Sequence, residues 1–226
     1  MIGTRNETAL HASLKEHFRQ PGDILEGKVD NFIIDLIQKE RLVEIQTGNF
    51  TALKKKLKQL LADHAVHLVY PIAARRFLVY LDPETKEVLL RRKSPKKGDV
   101  YDLFSELIRI PHLICHANLT LEAVLVIEEE IRCDDGKGSW RRRGISVLDR
   151  RLVEVKEQVL FAGPQDYLDL IPPELPTPFS NRDLAILAGI PVRQARKVSY
   201  TLKKAGLLEE IGKRGREILH RPACLK

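Results

Sequence analysis

The stretch IIDLIQKERLVEIQTG, Ile33 to Gly48, predicts a hairpin of two apolar strands joined by the polar turn QKE. Alternation and β-branched residues place the two strands at about residues 29–37 and 41–47. Each strand carries a carboxylate, Asp35 in the first and Glu44 in the second, among side chains that should be buried. Two carboxylates on neighbouring strands repel each other and are costly to bury unpaired. The hairpin therefore requires a partner for them.

A divalent cation is one partner that would remove both costs. On the second strand Glu44 and Gln46 point to the same side, whereas Val43 and Ile45 face the opposite layer. Carboxylate oxygens suit Mg2+ or Mn2+, which usually retain waters and take further ligands from phosphate oxygens. Such a metal polarises a phosphate and lowers the pKa of a bound water that attacks it. Asp35 and Glu44 are thus candidate metal ligands.

Helices are predicted on both sides of this hairpin in the chain. TRNETALHASLKEHFRQ has apolar residues at helical spacing, so we expect a helix from Thr4 to about Gln20 with Glu7 near its start. NFTALKKKLKQLLADH predicts a helix with an apolar face and four lysines on the other face. Further strands are predicted for VHLVYPIA, RFLVYLD, KEVLLRR, GISVLDRR and LVEVKEQVLF, and another helix for DVYDLFSELIRI; LEAVLVIEEEIRC fits a strand or a helix. Residues 1–163 are therefore predicted to form a mixed α/β domain.

These residues resemble the PD-(D/E)XK nuclease superfamily. Its signature is an acidic residue on one strand, Glu-x-Lys on the next strand and a glutamate on a preceding helix. Asp35 matches the first acid, Glu44-Ile45-Gln46 matches the tripeptide, and Glu7 matches the helical glutamate. The sequence departs from the family at two positions, because Ile34 stands where proline is usual and Gln46 replaces the lysine.

The resemblance implies a restriction-endonuclease-like mixed sheet flanked by helices, and a Mg2+-dependent (or Mn2+-dependent) deoxyribonuclease that hydrolyses phosphodiester bonds. It implies metal ligation by Asp35, Glu44, the carbonyl of Ile45 and Glu7, the last directly or through water. Gln46 would position the attacking water, but a glutamine adds no positive charge, so more of the activation would depend on the metal.

The whole net charge of +7 lies near the carboxyl end of the chain, where residues 176–226 hold 11 Lys and Arg against 4 Asp and Glu. A proline-rich stretch at residues 164–178 predicts a linker with one short helical turn. A neutral body joined to a basic module is typical of a protein that holds a polyanion.

Residues 179–226 have the pattern of a helix-turn-helix, in which Gly189 permits a tight turn and Pro191 begins the second helix. LLEEIGKRGREILHR then predicts two short strands around a basic tip. The segment resembles a winged helix, which implies a second helix in the DNA major groove and a hairpin on the DNA backbone. In the body, the loop GKGSWRRRG suits contacts with phosphates or an unpaired base. The expected DNA-binding residues are Arg193, Gln194, Arg196, Lys197, Tyr200, Lys204, Lys213, Arg214, Trp140, Arg141 and Arg142.

Taken together, these features predict a metal-dependent endonuclease that is anchored on double-stranded or branched DNA by its winged helix. A homodimer would supply the two sites needed to cut both strands. The alternatives are a non-catalytic DNA-binding regulator or recombination accessory protein with a degenerate nuclease fold, and a nuclease that acts on RNA. Asp30 is an alternative first acid, Asp35 and Glu44 could be surface charges of an edge strand, and winged helices also mediate protein contacts.

The composition indicates where the protein works. Cys115, Cys133 and Cys224 are far apart, the amino-terminal residues do not have a signal-peptide pattern, and the apolar runs are too short for a bilayer. We therefore expect a cytoplasmic protein with no membrane contact and no small-molecule cofactor.

Overall fold

The computed structural model describes residues 7–224, which form a mixed α/β structure with a large mixed sheet flanked by helices and a second, small sheet. The strands are β1 (Ile24–Val29), β2 (Phe32–Ile37), β3 (Leu42–Ile45), β4 (Val66–Leu81), β5 (Val88–Lys93), β6 (Leu119–Asp134), β7 (Ile145–Phe161), β8 (Phe179–Ser180), β9 (Leu208–Arg214) and β10 (Glu217–Pro222). The helices are α1 (Ala9–Phe18), α2 (Phe50–Asp63), α3 (Phe104–Leu107), α4 (Pro164–Leu168), α5 (Asn181–Leu187) and α6 (Val192–Lys204), with 3₁₀ turns at Val100–Leu103 and Trp140–Arg142. The predicted α/β class is confirmed.

The seven-stranded sheet has the order β1-β2-β3-β4-β6-β7, and β5 pairs with the carboxyl-terminal part of β4. Strands β1, β2 and β3 are antiparallel neighbours, whereas β3 and β4 are parallel. A parallel pair needs a crossover connection, and α2 supplies it between β3 and β4. The chain thus runs from α1 through a three-stranded meander and α2 into a central parallel strand.

Two apolar clusters lie on the two faces of this sheet. Leu42 and Val43 are neighbours in β3 but belong to different clusters, as alternation along a strand requires. Helix α1 buries Leu10 and Leu14 in the cluster that contains Val43. Helix α2 buries its apolar face in the other cluster, with Phe50, Leu53, Leu57, Leu60 and Leu61.

Several predicted strands differ in extent from the observed ones. The strand expected at about 29–37 is β2, which begins at Phe32 because the chain turns at Asp30, whose φ is 51°. Strand β1, which precedes this turn, was not predicted. The expected strands VHLVYPIA and RFLVYLD form the single strand β4, which continues through Pro71. Residues 70–76 of β4 lie between its pairing with β3 and its pairing with β5, so a proline without an N–H is tolerated there. LEAVLVIEEEIRC is strand, and GISVLDRR and LVEVKEQVLF form one 17-residue strand.

The amino-terminal helix begins later than the sequence predicted. Thr8 caps α1 with its side-chain oxygen, so the helix starts at Ala9 and Glu7 precedes it. The expectation that Glu7 lies within the helix is therefore wrong, and Thr4 lies outside the described residues. The helix predicted after the hairpin is confirmed as α2.

The carboxyl-terminal part consists of α5, α6 and a sheet of order β8-β10-β9, and it packs directly on the body. One apolar cluster includes Phe104 of α3 together with Val198 of α6. The proline-rich stretch contains the expected short helix, α4, but it is itself part of the core, because Tyr167 is fully buried and stacks on Phe161 with 4.7 Å between ring centroids. Within residues 7–224 no helix is long and apolar enough to cross a membrane.

Candidate functional site

The two carboxylates of the hairpin lie where β2 and β3 separate. Backbone pairing between these strands ends at Leu36 and Val43. Beyond this pair, the side-chain Oδ2 of Asp35 accepts a hydrogen bond from the backbone N–H of Ile45 at 2.8 Å. Ile34 and Leu36 pack in different apolar clusters although they are two residues apart, so the strand alternation breaks at Asp35. The break turns the Asp35 carboxylate toward the end of β3.

Glu44 is buried on β3 and has a lysine as its partner. Glu44 is 5% exposed, and its carboxylate Oε1 contacts Nζ of Lys56, a residue of helix α2. Lys56 Nζ also donates to the carbonyl of Ile33 at 2.5 Å. Burial raises the pKa of Glu44, the Lys56 charge opposes this, and repulsion by Asp35 adds to it, so the pKa of Glu44 rises to about 7. The site thus holds a carboxylate that is only partly ionised at neutral pH.

His11 of α1 closes the other side of the site. Its Nε2 lies 2.9 Å from the carbonyl oxygen of Ile45 and 3.4 Å from Asp35 Oδ2, and its Nδ1 lies 2.7 Å from Glu7 Oε1. Burial lowers the pKa of His11, but the contacts with Asp35 and Glu7 outweigh it and raise the pKa to about 9. The protonated ring therefore donates from both nitrogens. Sequence analysis missed His11; the available signal was its position four residues after Glu7, one helical turn.

Glu7 lies in an ion-pair cluster at the start of α1. Its Oε1 lies 2.6 Å from Nζ of Lys15, which also contacts Glu26 at 2.8 Å. Burial raises the pKa of Glu7, but the contacts with Lys15 and His11 lower it by more. Glu7 thus orients His11 and Lys15.

Gln46 follows the hairpin at the carboxyl end of β3. Its backbone N–H donates to the carbonyl of Val69 on β4 at 2.9 Å, and its side-chain Nε2 donates to the carbonyl of Gly48. The turn that leads into α2 therefore holds the side-chain amide through Nε2. The other amide atom, Oε1, can only accept hydrogen bonds.

The donor set at the hairpin fits a hard divalent cation only in part. Within residues 7–224 no group of three or more His, Cys, Asp or Glu side chains is arranged to hold a metal ion. Asp35 and the Ile45 carbonyl both lie against His11, and Glu44 is near enough to Asp35 for the Asp35 charge to raise its pKa. Mg2+ accepts such an incomplete set when waters and phosphate complete its shell. A dication would also relieve the repulsion by Asp35, which adds to burial in raising the pKa of Glu44. Two carboxylates and one carbonyl are thus a partial ligand set for Mg2+, while Glu7 is paired with His11 and Lys15.

Helix α6 presents an exposed basic stripe on one face. Residues three and four apart share a helix face, and the exposed members are Arg193, Arg196, Tyr200 and Lys204. Gln194 and Lys197 do not project outward as expected. Gln194 Nε2 donates to Asp102 Oδ1 at 3.3 Å and Lys197 Nζ donates to Ser105 Oγ at 2.8 Å, because the adjacent face of α6 packs on α3.

A groove of about 260 Å³ runs between α5, α6 and β10. Arg182, Arg196 and Arg216 line it with one carboxylate, Glu217. Arg182 and Arg216 were not among the predicted DNA-binding residues, and the fold brings them to one groove although 33 residues of the chain separate them. Of the predicted residues of the hairpin tip, Lys213 is exposed, and Arg214 pairs with Asp183 and Glu217.

The predicted loop between β6 and β7 is exposed. Trp140 is 82% exposed, and the guanidinium of Arg141 lies 5.5 Å from its ring centroid. Arg142 lies in the same 3₁₀ turn and is also exposed. An exposed indole beside two arginines remains available to a base or a phosphate.

The comparisons place the chain in a family. A family model described as "Domain of unknown function (DUF8091)" matches residues 8–162, so the chain belongs to this family. The chain is also 33% identical over 222 residues to a protein of Treponema pallidum (strain Nichols) described as "Uncharacterized protein". That match covers 97% of this chain and 87% of the relative. No solved structure matches the chain.

Proposed function

We propose that the chain is a metal-dependent nuclease that hydrolyses phosphodiester bonds of DNA. The observation that carries the proposal is the hydrogen bond from the Ile45 N–H to Asp35 Oδ2, since it holds the Asp35 carboxylate at the end of β3, one residue along that strand from Glu44. The order α1, three antiparallel strands, α2 and a parallel strand supports a restriction-endonuclease-like fold, and the α5, α6 and hairpin segment supports a winged helix.

The site residues have distinct parts in this proposal. Asp35, Glu44 and the Ile45 carbonyl would hold Mg2+ or Mn2+, which supplies charge to the phosphate and acidity to a bound water. Lys56 supplies, from α2, the positive charge that Gln46 lacks at the end of β3, because its Nζ already lies against Glu44. Gln46 keeps an acceptor oxygen for orienting water. His11 holds Asp35 and the Ile45 carbonyl in place.

The basic groove of the carboxyl-terminal part would hold the DNA. Three arginines, from α5, α6 and the β9–β10 turn, line it with one carboxylate, so the groove has a net positive charge. Arginines of this kind contact phosphates without reading sequence. The exposed stripe of α6 adjoins the groove through Arg196, so helix and groove form one nucleic-acid surface.

A second candidate function is a DNA-binding protein without catalytic activity. The observation that favours it is the pairing of each site carboxylate with a cation, Asp35 with His11 and Glu44 with Lys56. In that case His11 and Lys56 would replace the metal and keep a degenerate nuclease fold stable.

The two functions are distinguished by cleavage and binding measured on the same variants. Asp35→Asn and Glu44→Gln keep the side-chain shapes but remove the charges, and Asp30→Asn, at an exposed position on the β1–β2 turn, is the matched control. We expect wild type and Asp30→Asn to cut supercoiled, linear or branched DNA with Mg2+ or Mn2+ but not with EDTA. Asp35→Asn and Glu44→Gln should bind DNA in EDTA as wild type does and cut it at least about a hundredfold more slowly. Binding by all four without cleavage by any would favour the second function, and cleavage of RNA alone would contradict the DNA substrate.

A further inference from the structure

A second cavity of about 160 Å³ adjoins the candidate site. Thr47, which follows Gln46, and Leu10, which precedes His11, form the side of the cavity next to the site. The floor is the stretch of β4 from Tyr70 to Arg76, where that strand has neither β3 nor β5 beside it and its register with β6 shifts. Irregular strand geometry of this kind is common beside active sites.

A pinned loop, Ser94 to Gly98, closes the cavity. The backbone N–H of Ser94 donates to the carbonyl of Arg76 at 2.8 Å, and the N–H of Gly98 donates to the carbonyl of Ala73 at 2.9 Å. A Cβ at Gly98 would lie 2.7 Å from the Ala73 oxygen, so only glycine allows this approach. Lys96, in the middle of the loop, lines the cavity, whereas its exposed neighbour Lys97 is not among the lining residues.

The lining offers both hydrogen-bond donors and hydrogen-bond acceptors. The cations are Arg76, Lys96 and Arg150, the carboxylates are Asp102 and Glu128, and the neutral groups include Ser94, Ser105 and Tyr70. Arg76 is already paired with Glu128 at 2.5 Å and Glu130 at 3.1 Å. A bare phosphate in the cavity would meet two carboxylates, whereas a nucleobase carries both donors and acceptors on its edge. This mixture of donors and acceptors therefore favours a nucleobase inside the cavity, with the phosphate of the same nucleotide at Lys96.

We propose that this cavity receives the base of an unpaired nucleotide, with Lys96 on the adjoining phosphate. The inference rests on the proposed function, since it makes nucleic acid with an unpaired nucleotide the preferred substrate of that site. The cavity has space for roughly five waters, so a single base is the largest nucleic-acid group that it could enclose. Proteins that take a base out of the helix discriminate in favour of one that is already unpaired. A free nucleoside monophosphate has the same chemistry, so the test includes it as a separate source.

The test is equilibrium binding in EDTA, which requires no cleavage. Fluorescence anisotropy would compare a fully paired duplex, the same duplex with one unpaired nucleotide, and the same duplex with an abasic residue at that position. We expect wild type to bind the unpaired nucleotide about tenfold more tightly than either other duplex, since one base contact contributes that much. Lys96→Ala should lose most of this preference, and Lys97→Ala should keep it while binding all three slightly less tightly.

The outcomes separate this inference from the proposed function. Equal binding of the three duplexes by wild type, or equal loss of preference in Lys96→Ala and Lys97→Ala, would overturn it. Competition by a nucleoside monophosphate that depends on Lys96 but not on Lys97 would support the cavity and identify the free nucleotide as its ligand. A protein that shows the preference but never cuts DNA would keep this inference and lose the nuclease.

Discussion

Replacing Glu44 by glutamine should stabilise the protein at alkaline pH while it slows the proposed cleavage of DNA. The pKa of Glu44 rises from 4.5 to about 7 in the folded protein, chiefly because the carboxyl is buried. The folded state therefore binds more protons than the unfolded state between these two values, so stability falls as pH rises through this window and stays low above it. A difference of this size costs about 3 kcal/mol of the free energy of unfolding above pH 7.

Glutamine keeps the shape of Glu44 and carries no charge to bury, so it should recover most of that amount. We expect Glu44→Gln to raise the free energy of unfolding by up to about 3 kcal/mol at pH 8 and by less than about 1 kcal/mol at pH 5. Urea denaturation in EDTA at both pH values measures this, because the midpoint should move while the slope stays the same. Glu40→Gln, on the exposed turn of the hairpin, is the control and should change little.

An equal gain in the free energy of unfolding at both pH values, or a loss at pH 8, would refute the reasoning. Either result would mean that burial of the Glu44 charge does not destabilise the folded protein. The expected pattern would instead mark Glu44 as a residue that lowers stability and is kept for function.

Three further results are expected. The His11 ring should titrate near pH 9 in a proton NMR titration, and Glu7→Gln should lower that midpoint, whereas a midpoint near 6.5 in wild type would contradict the ion-pair cluster. The stability due to protonated His11 is complete below pH 6.5 and is lost as pH rises through about 9. Arg196→Ala should weaken DNA binding about fivefold to tenfold and reduce the salt slope by about 1, whereas Lys197→Ala, which contacts the body, should have a smaller effect in the same titration. Tyr167→Phe should leave the free energy of unfolding, measured by urea denaturation, unchanged or raise it by up to about 1 kcal/mol, since the buried hydroxyl has no hydrogen-bond partner among the described residues. A loss above about 1 kcal/mol would count against this.

Local patterns were sufficient to predict the hairpin and its neighbours. Alternating apolar residues placed Asp35 and Glu44 on adjacent strands, and the structure brings both to the end of β3. The amphipathic face of α2 was also evident, because helical spacing is a local property. The helix-turn-helix order of α5 and α6 followed from glycine and proline at the turn.

Partners that come from distant parts of the chain could not be predicted. His11 lies 34 residues before Ile45, and only the packing of α1 across the sheet brings them together. Lys56 was one of four lysines on α2, and the register of the helix over β3 selects it. Lys197 was expected to face solvent, since it lies off the apolar stripe of the helix, but α3 lies against that face of α6. Sequence periodicity gives the faces of an element and not the identity of its neighbour.

The most direct test of the central claim, that Asp35 and Glu44 hold a divalent metal, is a calorimetric titration of the full chain with Mn2+. We expect one Mn2+ bound per chain by wild type and by Asp30→Asn, and an affinity at least about tenfold lower in Asp35→Asn, because one of two carboxylate ligands is lost. Equal binding by Asp35→Asn and wild type, or no binding by wild type, would contradict the claim and leave His11 and Lys56 as the permanent partners of the two carboxylates.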